Sequence, residues 1–344
     1  MNRELGERMK HRTRSLVMVM GLALAAAVDA HHSAVMFDTT QEITVEGVVS
    51  HYEWRNPHVY MAVETVGRDG ENVEQRIEAG APSILSPLGL TPDSLSLGER
   101  VTVYGNPNRR GDGRIMLGLY LTKADGSQLP LNIAAPSIRA PTGARATSLA
   151  GTWFSPVSEL RGFVRARNSW NVTERGRIAR DGWDIAQAAY ADCIPVTAPT
   201  LMVYSVATIV EINPDTVVFD VDWMTSRRVV HTDGRGHPQN GEPTLQGHSI
   251  GYWEGETLVV DTVQYAEHSE GITLGFPSGP DKHTVERFSL ADDGRQMNYE
   301  VMLEDPEYLA EPLHYSAQLE YRPDLEPTGL ACDLETARRY LTDE

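Results

Sequence analysis

From Glu42 onward, one stretch after another of this chain sets hydrophobic side chains at every second position, and that period restricts its fold more than any other feature. Successive side chains of a strand point to opposite faces, so such a stretch buries one face and wets the other. "ITVEGVVS" sets Ile43, Val45 and Gly47 against Thr44 and Glu46, and "VYMAV" puts Val59, Met61 and Val63 on one face. "RVTVYGNP" and "IMLGLYL" follow in the same rhythm, with turn signals at Gly67-Arg68-Asp69-Gly70, Arg110-Gly111-Asp112-Gly113 and Asp125-Gly126. Short strands punctuated in this way predict an all-β unit. "PSILSPLGL" (Pro82 to Leu90) breaks the period and predicts one short helix. Strands, a helix and strands again within residues 31–128 suit a five-stranded OB-type barrel.

Residues 129–147, "LPLNIAAPSIRAPTGARAT", are proline-bearing and aperiodic, which reads as a linker. A second all-β domain is expected over 148–344. It opens with "GTW", a lipocalin-like feature in which Gly permits a tight bend and Trp plugs a barrel floor. Strand-like stretches then recur from "LMVYSVATIVEI" to "HYSAQLEYRP", with tight turns expected at Thr232-Asp233-Gly234-Arg235, Glu254-Gly255-Glu256 and Asp292-Asp293-Gly294. A meander of this length predicts a larger antiparallel lipocalin/calycin-like barrel with a lined cavity. Short helices are expected around Trp183 to Ala191 and in "LETARRYLT".

The first 30 residues read differently. Arg3, Arg8, Lys10, Arg12 and Arg14 precede an apolar stretch from Leu16 to Val28, and Val28-Asp29-Ala30 suits a cleavage site. That order predicts a secretory signal peptide and a periplasmic or secreted protein. The net charge of −18 repels nucleic acid and anionic lipid, which leaves small molecules, cations or proteins as partners. The only cysteines, Cys193 and Cys332, predict a disulfide that staples the second domain. No P-loop, dinucleotide-binding glycine fingerprint, CxxC pair or HExxH is present.

Cleavage after Ala30 would make His31 the mature N-terminus. Its α-amine and imidazole would then form one chelate, and His32 or His58 would supply a third nitrogen, a set that suits copper or zinc. His58 lies in "EWRNPHVY", just ahead of a strand. In the second domain His231, Asp233, His237 and His248 fall close together, and Asp261, His283 and Glu286 follow on later strands. Inward histidines paired with Asp or Glu would make an acid–base site. The candidate catalytic set is His231, Asp233, His248, Asp261, His283 and Glu286. In "HTVERF" His283 and Glu286 fall on opposite strand faces, and histidines facing out would remove that site. "GHSIG" (Gly247 to Gly251) fits the spacing of a nucleophile elbow, but strand–turn–strand follows it, not the helix an elbow needs.

Residues 31–131 resemble the DUF6152 family of exported bacterial proteins through "HHS" at 31–33, Phe37-Asp38, "VEGVVSHYEWRNPHVY", "SLSLGERVTVYGNP" and "ADGSQLPL". The resemblance implies that the paired histidines and the Asn-Pro-His belong to one pattern, and it carries no function. Residues 150–335 resemble uncharacterised exported proteins through "RRVVHTDGRGHP", "GHSIGYWEGETLVVDTVQY", "HTVERF" and "LEDPEYLAEPLHY". Two functions are open. One is a binding protein with a copper or zinc ion on the first barrel and a small, partly apolar ligand in the second. The other is a secreted hydratase, isomerase or lyase using the second barrel for acid–base chemistry on a small hydrophobic substrate.

Overall fold

A computed structural model describes residues 37–67, 70–109, 113–135, 142–184 and 188–339. The first barrel is built from β1 (Ile43–Trp54), β2 (Val59–Val66), β3 (Asn72–Glu78), β4 (Arg100–Pro107) and β5 (Ile115–Lys123). Their order is β3-β2-β1-β4-β5, and a parallel pairing of β3 with β5 closes the ring. Helix α1 (Pro82–Leu88) sits between β3 and β4; Pro82 opens it, and Gly89 ends it at φ 109°. This is the five-stranded OB-type arrangement that the alternation predicts. Val49, Met61, Ile77, Val103 and Leu121 fill the core together with Leu85 and Leu88 of α1. A further short strand, β6 (Gln128–Pro130), pairs with β5, and Leu129 and Leu131 are buried in the same core. The start of the expected linker is therefore structural wall.

The second barrel has nine strands: β7 (Gly151–Phe154), β8 (Ala207–Ile212), β9 (Thr216–Val221), β10 (Ser226–His231), β11 (His248–Glu254), β12 (Thr257–Val263), β15 (His283–Leu290), β16 (Gln296–Glu304) and β17 (Leu313–Tyr321). They meet their neighbours in chain order, and β17 returns to β7. A ring with an odd number of strands cannot alternate direction all the way round. One neighbouring pair must run parallel, and here it is β10 with β11. Parallel neighbours need a long return connection. Residues 232–247 are that connection, so Thr232-Asp233-Gly234-Arg235 does not close the tight hairpin expected there. The hairpin β13 (His268–Thr273) and β14 (Phe276–Ser278) lies between β12 and β15 as a separate two-stranded sheet.

Gly151 and Trp153 behave as the opening motif suggests. Trp153 is fully buried, its indole N–H donates to the Leu149 carbonyl at 2.8 Å, and its ring packs on Tyr321. Gly151 has φ 130°, and a Cβ there would stand 2.8 Å from the Tyr321 ring. Two helices depart from the expectation: α2 (Val157–Ala166) and α3 (Glu174–Asp181). α2 buries Leu160 and Phe163, and Phe163 stacks among Trp170 and Tyr315. Near Trp183 to Ala191 the regular structure is one 3-10 turn, Ala189–Asp192. The terminal helix α4 (Leu334–Arg338) is present.

Cys193 and Cys332 form a disulfide. It does more than staple the second domain. Cys332 lies in a tail that runs onto the first barrel, where Asp333 N–H donates to the Asn56 carbonyl at 2.8 Å and Asn56 Nδ2 donates to the Leu330 carbonyl at 2.9 Å. Tyr60 Oη donates to the Thr336 carbonyl, and Arg339 pairs with Glu53 and lies over the Tyr60 ring. Ala81 and Ile84, at the start of α1, pack into the core of the second barrel. No helix among the described residues is long and apolar enough to cross a membrane.

Candidate functional site

Strand alternation distributes the six acid–base candidates of the second barrel. On β15, Thr284, Glu286 and Phe288 are fully buried, whereas His283, Val285 and Arg287 are partly exposed. On β12, Leu258, Val260 and Thr262 point in, and Asp261 lies on the other face. The register places Thr262 opposite Thr284 and Asp261 opposite Val285, so the two strands agree on which face is inside. Among the six candidates, Glu286 alone belongs to the interior.

That interior is a polar network. Arg228 of β10 is 1% exposed and Glu286 is fully buried. The guanidinium donates to Glu286 Oε1 at 3.0 Å and also to Oε2, to Thr262 Oγ1 at 2.7 Å and to Ser249 Oγ at 3.2 Å. Tyr299 Oη donates to Glu286 Oε1 at 2.9 Å, and burial followed by the Glu286 charge pushes that phenol well above its usual range. Ser249, the serine of "GHSIG", therefore sits in strand β11 among these partners and forms no elbow. Deeper toward the β13–β14 hairpin, the Lys282 ammonium donates to Thr197 Oγ1 and to the Ala198 and Gly271 carbonyls. Burial pushes Lys282 down to about 7.

The histidines line the outer wall, where they are half-buried and joined. His237, from the 232–247 connection, has its Nδ1 2.9 Å from His248 Nδ1 and its Nε2 2.9 Å from Asp261 Oδ1. His283 Nε2 is 3.2 Å from Asp261, and His283 Nδ1 is 3.2 Å from Glu304 Oε2. His231 stacks on His248 with centroids 5.5 Å apart, and its Nδ1 is enclosed without a hydrogen-bond partner. A carboxylate only accepts, so His237 Nε2 carries the proton toward Asp261. When the pair is neutral, His248 Nδ1–H then donates to His237 Nδ1. Burial, then the nearby His237 and His231, lowers the His248 pKa, which favours this neutral ring. Asp233 stands apart: Arg235 grips it in an exposed turn and holds it down at about 2. The inward histidine–carboxylate set of the acid–base reading is thus not formed, because His231, His248, Asp261 and His283 occupy the wall opposite to Glu286. A surface groove of about 370 Å³ runs beside His283 and Glu304, with Asp281, Leu309, Ala310 and Pro312 along it.

His31 and His32 lie outside the described residues. His58 lies at the junction of the two barrels, between the rings of Tyr60 and Tyr190. Its Nδ1 is 3.3 Å from the Ala79 carbonyl and 3.5 Å from Glu78 Oε1. Both partners accept, so Nδ1 carries a proton, and in the neutral ring the lone pair is then on Nε2. Among the described residues no group of three or more His, Cys, Asp or Glu side chains is placed to hold a metal ion.

The fold defines a two-barrel protein with an OB-type first unit. Residues 19–116 match the DUF6152 family, a family of unknown function. The match covers the first barrel as far as the start of β5 and stops short of the second. No curated protein matches the chain.

Proposed function

We propose that this chain is an exported two-domain binding protein whose first barrel holds a copper or zinc ion between the mature N-terminal His31 and His58. The His58 ring carries this reading. Metal-binding imidazoles commonly donate their second nitrogen to a carbonyl or carboxylate, which fixes the tautomer and leaves the other nitrogen free. The Ala79 carbonyl and the Glu78 carboxylate stand against His58 Nδ1 in this way. Phe37 packs in one cluster with Tyr60, two residues from His58. His31 lies six residues ahead of Phe37, a contour length of roughly 20 Å. His32 is the alternative third nitrogen. The disulfide fits an oxidising compartment.

For the second barrel, the proposed ligand is small and partly apolar. The Arg228 network fills the interior at its level, so the groove beside His283 suits such a ligand better than the barrel axis. Its volume is at the small end of ligand pockets. The deciding experiment is metal analysis of protein processed in the periplasm, with the N-terminus read by mass spectrometry. A His31-started protein should take up about one equivalent of copper or zinc. One extra residue ahead of His31, or His58→Ala, should each weaken it strongly. Correctly processed protein that takes up neither metal at micromolar concentration would end the reading.

A further inference from the structure

The connection 232–247 crosses the outer wall between the two parallel strands, and its first half is held there by few groups. Asp233 and Arg235 bond each other within the turn. Gln264 Nε2 donates to the Pro238 carbonyl at 2.6 Å. The second half is tied by the main chain, through Thr244 N–H to the Gln264 carbonyl and Ala266 N–H to the Thr244 carbonyl. At its root, Thr232 N–H donates to the Asp215 carbonyl at 2.8 Å. Beyond that bond, the anchor of the first half is the His237 ring, bonded on one side to His248 and on the other to Asp261.

We propose that residues 233–243 form a pH-operated latch, closed by the His237–His248 bond and opened when both rings take up protons, so that acid uncovers His231 and His248. A hydrogen bond between two Nδ1 atoms needs one nitrogen to donate and the other to accept. A neutral pair satisfies it. One added proton also satisfies it: His237 then donates from both nitrogens, and His248 shifts its own proton to Nε2. A second proton leaves two N–H groups facing each other 2.9 Å apart, and the bond becomes a repulsion. The closed latch thus accepts at most one added proton on these two rings, whereas two imidazoles released into water can accept two.

Every charged neighbour on the packed elements enters this balance. His231 on β10 adds a third imidazole against His248, and the Asp233 carboxylate in the connection faces His231. Arg235, in the connection itself, opposes protonation of His248. Asp261 on β12 lies between His237 and His283 of β15, and Glu304 of β16 lies against the far side of His283. One carboxylate between two histidines compensates a single added proton and leaves the second unopposed. The lowered pKa of His248 has the same sign. Closure is therefore fully present above the ordinary imidazole pKa and is lost as the pH falls below it.

Hydrogen exchange read by mass spectrometry, corrected for the intrinsic pH dependence of exchange, tests this on the full-length protein. Opening takes up at least one proton, so exchange in 233–243 should speed up roughly tenfold per pH unit below about 6.5. Exchange in β15 and β16 should stay unchanged over the same range, which separates latch opening from unfolding. His248→Asn keeps the bond at every pH, because an amide can turn to present either its N–H or its oxygen to His237. It should flatten the pH response. His237→Ala should leave the segment open at neutral pH. Wild-type exchange in 233–243 that does not change between pH 7.5 and 5, or a His248→Asn protein with the full wild-type response, overturns the proposal.

Discussion

Replacing Glu286 by alanine should damage folding more than most single substitutions in this chain, and the reason can be followed atom by atom. Glu286 receives two guanidinium N–H groups from Arg228 and the hydroxyl of Tyr299, all three in residues essentially without solvent contact. Alanine leaves an uncompensated guanidinium in the barrel, still tied to Thr262 and Ser249 but with no counter-charge. Removing one partner of a buried ion pair costs about 3–5 kcal/mol. Replacing both partners by apolar residues of similar volume is often neutral or stabilising. The double substitution Arg228→Met with Glu286→Leu should therefore recover most of the loss. Guanidinium unfolding followed by tryptophan fluorescence measures both variants. A Glu286→Ala protein within about 1 kcal/mol of wild type, or a double variant no more stable than the single one, refutes the account. Either result would mean that water or a rearranged wall compensates Arg228, and that Glu286 is not fixed in the interior by charge pairing.

Two other perturbations follow from the same structure. The Cys193–Cys332 disulfide closes a loop of sequence separation 139. On the chain-entropy account, its removal by a paired serine substitution lowers stability by about 5 kcal/mol. Because the tail past Cys332 bonds Asn56, Tyr60 and Glu53, exchange should also rise at those first-barrel positions, and unchanged exchange there would show that the tail docks without the bond. His268 accepts the Glu270 N–H at Nδ1 and donates from Nε2 to the Pro195 carbonyl, and burial, then Lys282, pushes its pKa down to about 4. Its folded pKa is depressed, so its stabilising contribution is present above about 6.5 and is lost as the pH falls toward 4, by roughly 3 kcal/mol. His268→Gln keeps a donor and an acceptor without titrating. A stability–pH curve over that range as steep in the variant as in wild type would rule this out.

The alternation showed most of the strands, because a strand half in water records its two faces in its own residues. The parallel pair left no such mark. Thr232-Asp233-Gly234-Arg235 has the composition of a hairpin turn, and only the parity of the nine-stranded ring makes it the start of a long crossing. Helix α3 was hidden for a different reason: it buries only Gly176, too little to print an apolar stripe. Helix α2 does print one, with Val157, Leu160, Phe163 and Val164 at helical spacing, but the stripe is short and lies among strand-like stretches. Of the outer-wall chain, the histidines and Asp261 stand out by residue type. Glu304 does not, because its link to His283 is a cross-strand register between β15 and β16.

The all-β class, the OB-type first barrel, the larger second barrel and the opposition of His283 to Glu286 were legible before folding, since each depends on residues near one another along the chain. Three outcomes came with closure of the barrels: which face of each strand became the inside, that the histidines share one wall as a hydrogen-bonded chain, and that the disulfide binds a tail across to the first barrel. Those outcomes depend on closure and register, which bring together residues that no local period connects.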